Sequence, residues 1–109
     1  YAAAQTLAGK ATLESYGLTV VNYHRLENVR NIYEETPARA YALAKAANTP
    51  EAEVVFLSGV GMPTVAVLEA LEQDLGKPVI SSVAAMMWNC LRIAGVQPVV
   101  PGYGRLLAG

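Results

Sequence analysis

The hydrophobic pattern of this chain changes period several times, and each change marks an element. Over residues 2–16 the spacing is helical, with Ala4, Leu7, Ala8 and Ala11 on one side, and Gly17 stops the run. Residues 18–23, "LTVVNY", are β-branched and apolar and predict a strand. Residues 24–35 are polar and aperiodic, so they read as a loop. Thr36 and Pro37 open a helix as N-cap and first helical residue, and Ala40, Leu43, Ala44 and Ala47 form its stripe. Residues 54–57, "VVFL", predict a second strand without polar alternation, which implies burial on both faces. A helix follows from Pro63 or Thr64 to Leu75. Its inner face is Val67, Leu68, Leu71 and Leu75, its outer face Glu69, Glu72 and Asp74, and Gly76 and Pro78 end it. Val79 and Ile80 make a third, short strand. The last helix covers residues 83–94 with Met87, Trp88, Leu91 and Ala94 inward, and residues 96–109 read as an irregular tail packed by Val99, Val100 and Leu106.

The predicted order αβαβαβα gives an α/β fold, a three-layer αβα sandwich around a short parallel sheet. At 109 residues the chain is a single lobe with a modest core, and 53% hydrophobic against 16% charged residues argues against disorder. Three strands leave two exposed edges, and the chain opens at Tyr1 already inside a helical pattern. Both features lead us to expect a fragment or half of a longer protein. A net charge of −1 without a basic stripe disfavours nucleic acid as a partner. No apolar run has membrane-spanning length, and the lone Cys90 fits a reducing cytoplasm.

Candidate chemistry lies where the second and third strands hand over to helices, because ligands of open parallel sheets collect outside the carboxyl ends of strands. The first handover is Ser58-Gly59-Val60-Gly61, followed by Met62-Pro63-Thr64; the second is Ser81-Ser82. Glycine backbone, hydroxyls and helix N-termini together suit a small carboxylate or dicarboxylate and an enolate-like intermediate. The same residues also serve as plain turn formers, with Ser82 as a plain N-cap. Neither GxxxxGK[ST] nor GxGxxG is present, since Thr64 stands where the last glycine would be, so nucleotide binding is disfavoured. No ligand spacing suggests a metal. His24 reads as a loop or surface residue, Cys90 as a small core residue, and Asn28 and Asn31 as turn or capping residues within reach of a ligand.

The segments "GKPVISS…W" and "PGYGRL", with "LSGVGMPT" and the upstream "ENVRNIYEETPARAYALAKAANTPEAEVVF", resemble the C-terminal half of the Asp/Glu racemase superfamily. The likeness is narrower to its arylmalonate decarboxylase and maleate isomerase branch, and it covers nearly the whole chain. The resemblance implies two similar lobes facing across an active-site cleft, no cofactor, and a planar enediolate or a covalent cysteine adduct. The partner would be a missing N-terminal lobe or a second copy of the chain.

By the same resemblance, Gly59 stands at the position of the family's reacting cysteine, with Val60 beside it as an amide donor. Tyr1 matches a tyrosine that hydrogen-bonds the substrate carboxylate. Asn28, or almost equally Asn31, matches a substrate-contacting asparagine. Ser58, Gly61, Met62 and Thr64 belong to the first turn, and Ser81 and Ser82 to the second. Glycine cannot donate a proton or attack. The resemblance therefore leaves three readings open: an acid from the other lobe, a different acid such as Tyr1 or a water held by Ser58, or a carboxylate binder without catalysis. A cysteine restored at Gly59 is expected to create or alter activity if the turn keeps the family geometry.

Overall fold

In the computed structural model, residues 3–26, 29–59, 61–97 and 99–109 are described. The helix α1 spans Ala3–Ser15, α2 Pro37–Ala47, α3 Leu68–Leu75, α4 Ser82–Ile93 and α5 Arg105–Ala108, with strands β1 Val55–Leu57 and β2 Val79–Ser81. Two short 3₁₀ turns, Ile32–Glu34 and Val65–Val67, precede α2 and α3. The result is α/β, with β1 and β2 pairing in parallel and helices flanking them.

The predicted start of α2 and the predicted end of α3 hold. Thr36 has extended backbone and its hydroxyl accepts from the Arg39 amide at 3.3 Å, with Pro37 at the first position of α2. Gly76 ends α3 at φ 69°, a left-handed conformation that costs glycine nothing. The core joins Ala40 and Ala44 of α2, Val55 and Leu57 of β1, Leu68 and Leu71 of α3, Val79 of β2, Ala84 of α4 and Leu107 of α5.

Residues 18–23 do not form the predicted strand. Leu18, Val21 and Tyr23 are 58%, 51% and 46% exposed, and among the described residues no backbone ladder ties them to β1 or β2. Their β-branched composition favours extended backbone, but a strand also needs a partner edge. Here the Asn22 side chain instead donates to the Ala47 carbonyl at the end of α2, 3.1 Å away.

The predicted burial on both faces of the sheet is also corrected. Val55 and Leu57 are buried while Phe56 between them is 43% exposed. Phe56 pairs with Ile80 in register, so the two share the less covered face. On α4, Trp88 packs against the core, but Met87 and Ala94 are exposed, and so is Cys90, which is not the core residue expected.

Glu72 departs furthest from its predicted place. It is 7% exposed rather than outward, and it grips two separate segments. Its Oε2 accepts from the Val79 amide at 2.9 Å and its Oε1 from the Arg105 amide at 2.9 Å, with Arg105 Nε 3.8 Å from Oε1. Glu69 adds a third contact, accepting from the Gly104 amide at 3.1 Å. The tail is thus fastened at its end: Leu107 is buried, whereas Val99 is 56% exposed.

The Tyr41 phenol donates to the Asp74 carboxylate and links α2 to α3. That bond, then burial and the negative charge, raises the Tyr41 pKa above the ordinary 10.0. The contribution to stability is therefore complete below the unfolded value and fades as pH climbs through the folded one. Alkaline spectrophotometric titration is expected to show a phenol ionising above the ordinary value, and Tyr41→Phe should remove that phase. An unchanged titration curve in the variant would contradict the assignment.

Candidate functional site

β1 and β2 run in the same direction with Leu57 opposite Ser81, so their carboxyl ends lie side by side. The two predicted turns consequently leave the sheet as neighbours. Their link is direct: the Ser82 hydroxyl accepts from the Gly59 amide at 3.1 Å. Ser81 has extended backbone and is fully buried, and its hydroxyl accepts from the Ala84 amide at 3.1 Å as the N-cap of α4. The two adjacent serines thus divide the work. Ser81, not Ser82, caps the helix, and its hydroxyl is spent there rather than on a second ligand contact.

Two of the amides in these turns are not free for a ligand, since Gly59 and Ala84 are each satisfied by a serine. Helix geometry still leaves the amides of Ser82 and Val83 without an intrahelical acceptor at the positive end of the α4 dipole. A hydroxyl that accepts from Gly59 keeps its own proton to donate, so Ser82 can serve an anion as well.

The first turn does not lead straight into an α-helix. Thr64 begins a 3₁₀ turn, and α3 starts only at Leu68, which is fully buried. Pro63 followed by β-branched Thr64, Val65 and Val67 explains the delay, because such residues propagate an α-helix poorly. The expected helix N-terminus at Thr64 is thus displaced, and with it the dipole argument for this turn. Met62 is 4% exposed and joins the core, and Thr64 is 1% exposed with its hydroxyl unpaired. Neither stands at the surface where Ser58 is exposed and Gly59 and Gly61 are half-buried.

Tyr1, Asn28 and Val60, all assigned to the site by resemblance, lie outside the described residues. Asn31 has the commoner fate of a loop asparagine: its side chain accepts from the Tyr33 amide at 3.0 Å and caps the 3₁₀ turn Ile32–Glu34. This turn is the part of the site that the sequence reading missed. A β-carbon built on Gly61 would lie 2.7 Å from Ile32 Cγ2 and 3.2 Å from Tyr33 Cε1, so the turn sits directly against the glycine. The available signal was the glycine itself, which marks close approach as often as flexibility.

Among the described residues, no group of three His, Cys, Asp or Glu side chains could hold a metal ion. Nor is any helix among them long and apolar enough to cross a membrane. A hollow of about 280 Å³ lies between α3 and the tail, lined by Glu69, Glu72, Gly104 and Arg105. Another of about 230 Å³ sits at the end of α4 beside Arg92 and Val96. The serine–glycine turns line neither of these, and lie at the carboxyl ends of the two strands with Ser58 exposed and Gly59, Gly61 and Ser82 half-buried.

The model of the arylmalonate decarboxylase family matches residues 3–107. A maleate isomerase from Nocardia farcinica (strain IFM 10152) is 31% identical over 100 residues, which is 89% of this chain and 40% of that protein. The arylmalonate decarboxylase of Bordetella bronchiseptica is 40% identical over 58 residues, 52% of this chain and 24% of that protein. The maleate isomerase of Pseudomonas putida S16, solved with maleate, aligns with a TM-score of 0.90 at 26% identity, covering 100% of this chain and 45% of that one. A cysteine-to-serine mutant of the Nocardia farcinica maleate cis-trans isomerase, carrying a covalently bound succinylcysteine intermediate, aligns at 0.83 with 29% identity over 95% of this chain and 44% of its own. The chain spans less than half the length of the relatives it matches.

Proposed function

The chain belongs to the arylmalonate decarboxylase family, and from that premise we propose that it forms one half of the active site of a cofactor-independent decarboxylase or isomerase of small carboxylic acids. The observation that carries the proposal is the bond between the Ser82 hydroxyl and the Gly59 amide, which joins the two turns into one shelf. A carboxylate seated there would accept from the Ser82 hydroxyl and from the amides at the start of α4. Charge that develops on its oxygens as an enediolate forms would be held by the same donors. Relatives solved with maleate and with a succinylcysteine intermediate support a small dicarboxylate as the ligand class.

The shelf supplies no acid at Gly59, so we assign proton donation to the part of the protein that this chain does not span. Cys90 cannot stand in: eight residues separate it from Ser82, about 12 Å along the helix. Full-length protein incubated with phenylmalonate, maleate and aspartate in deuterated water should turn over at least one of them or exchange deuterium into it. Ser82→Ala should weaken binding of that ligand by about five- to tenfold, because a shelf donor is lost and the Gly59 amide is left unpaired.

A second reading is favoured by Gly59 itself, whose backbone φ of 107° suits glycine and little else. In this reading the shelf binds carboxylates without transforming them. Calorimetric binding of maleate or phenylmalonate with no turnover and no deuterium exchange would select it. No binding of any of the three acids would remove both readings.

A further inference from the structure

β2 carries the second turn, yet only one of its sides is held by another strand. Among the described residues it pairs with β1 alone, over three positions, and a two-stranded ribbon of that length is marginal by itself. The Val79 amide at its amino end is taken instead by the Glu72 carboxylate, whose other oxygen takes the Arg105 amide of the tail, each at 2.9 Å. Glu69, also on α3, takes the neighbouring Gly104 amide at 3.1 Å. Gly104 is buried with a φ of 94°, and a β-carbon built on it would lie 3.2 Å from Glu72 Oε2 and 3.6 Å from Leu68 Cβ. The tail comes this close to the carboxylate only because the residue is glycine. Beyond the bridge, α5 lies beside α4. The tail thus adjoins both elements that meet at Ser81 and Ser82.

We propose that Glu72 is a positioning residue for the carboxylate shelf, and that it couples docking of residues 104–108 to the seating of a ligand at Ser82. The inference rests on the reading of the shelf as a carboxylate site. Glu72 acts through β2 rather than on the ligand. It fixes the amino end of the strand, about 7 Å along the chain from Ser81, and α4 starts at Ser82 with no loop between. A shift at Val79 therefore reaches the Ser82 hydroxyl and, through it, the Gly59 amide. Donors aimed at a carboxylate tolerate only small displacements. Such coupling is reciprocal: a ligand that orders β2 and α4 also tightens the tail. Both carboxylate oxygens are needed, because each accepts from a different segment. A glutamine offers one acceptor and turns a donor toward the other amide.

The test uses full-length protein and succinate, a dicarboxylate with no double bond to isomerise; if succinate does not bind, whichever of phenylmalonate, maleate and aspartate binds replaces it. Amide exchange is followed with and without the acid, and affinity by calorimetry, in the parent, Glu72→Gln, Gly104→Ala and the double variant. Tyr41→Phe is the control, since it cuts a tie to α3 but leaves β2 and the tail alone. In the parent the acid should slow exchange at the Gly104 and Arg105 amides. In each single variant that slowing should disappear and affinity should fall about five- to tenfold, the double variant should be little worse than either, and Tyr41→Phe should change neither. Unchanged affinity in folded Glu72→Gln and Gly104→Ala overturns the inference and leaves the shelf standing. So do losses that add in the double variant, and an equal loss in Tyr41→Phe, which would mark stability alone. Should Glu72→Gln not fold, Gly104→Ala decides in the same terms. If the parent binds none of the four acids, shelf and inference fall together.

Discussion

Glu72→Ala is expected to cost about 3 kcal/mol of folding stability, a large share of the roughly 5–15 kcal/mol available to a domain of this size. The Glu72 carboxylate is 7% exposed and satisfies the amides of Val79 and Arg105, both at 2.9 Å. Truncation leaves those two donors without their acceptor, at about 1–3 kcal/mol for the buried Val79 amide and less for the half-buried Arg105 amide, and opens a void beside Leu68 and Gly104. The 3.8 Å approach of Arg105 Nε adds little, because that side chain is 60% exposed. Urea denaturation should show a lower midpoint with unchanged slope, and amide exchange at Val79 and Arg105 should lose its protection. Glu72→Gln keeps the shape and one acceptor oxygen, so it should recover part of the loss. A change below about 1 kcal/mol in Glu72→Ala would show that the tail and β2 are held by other means.

Glu72 also shows how far sequence alone can be read. A carboxylate seldom sits in a core, so its type predicts the outer face, yet it lies four residues after Leu68 and three before Leu75, on the stripe that the structure buries. Local signals with a single physical meaning were legible: the Thr36-Pro37 start, the Gly76 stop, and the two parallel strands ending in turns. Signals that depend on a partner were not. Residues 18–23 have strand composition without a strand to join, and Phe56, Met87 and Cys90 are apolar without being covered. At the site, the sequence brought Gly59 and Ser82 to adjacent turns, but it could not tell which serine caps α4 and which reaches across. That division follows from backbone geometry: the side chain of the last extended residue folds over the helix start, leaving the next one free to point elsewhere.

Gly59→Cys is expected to fail as a repair. If Gly59 stood in an ordinary conformation, a cysteine would supply the missing acid directly, as the family resemblance suggests. Its φ of 107° lies well beyond the left-handed well near 57°, where even asparagine is comfortable. A β-carbon there should cost about 1–3 kcal/mol, and Gly59→Ala should cost as much as Gly59→Cys, because the penalty belongs to the backbone and not to the thiol. In full-length protein neither variant should gain turnover or deuterium exchange with phenylmalonate, maleate or aspartate. The Ser82 hydroxyl is the contact that holds the Gly59 amide in place, so the two positions should couple. In a Ser82→Ala background the turn is freer to relax, and the penalty for Gly59→Cys should shrink by about 1 kcal/mol. If instead Gly59→Cys is as stable as the parent and gains activity, the turn accommodates a side chain after all. Gly59 would then mark a lost thiol in a retained active-site geometry, rather than a turn rebuilt around glycine.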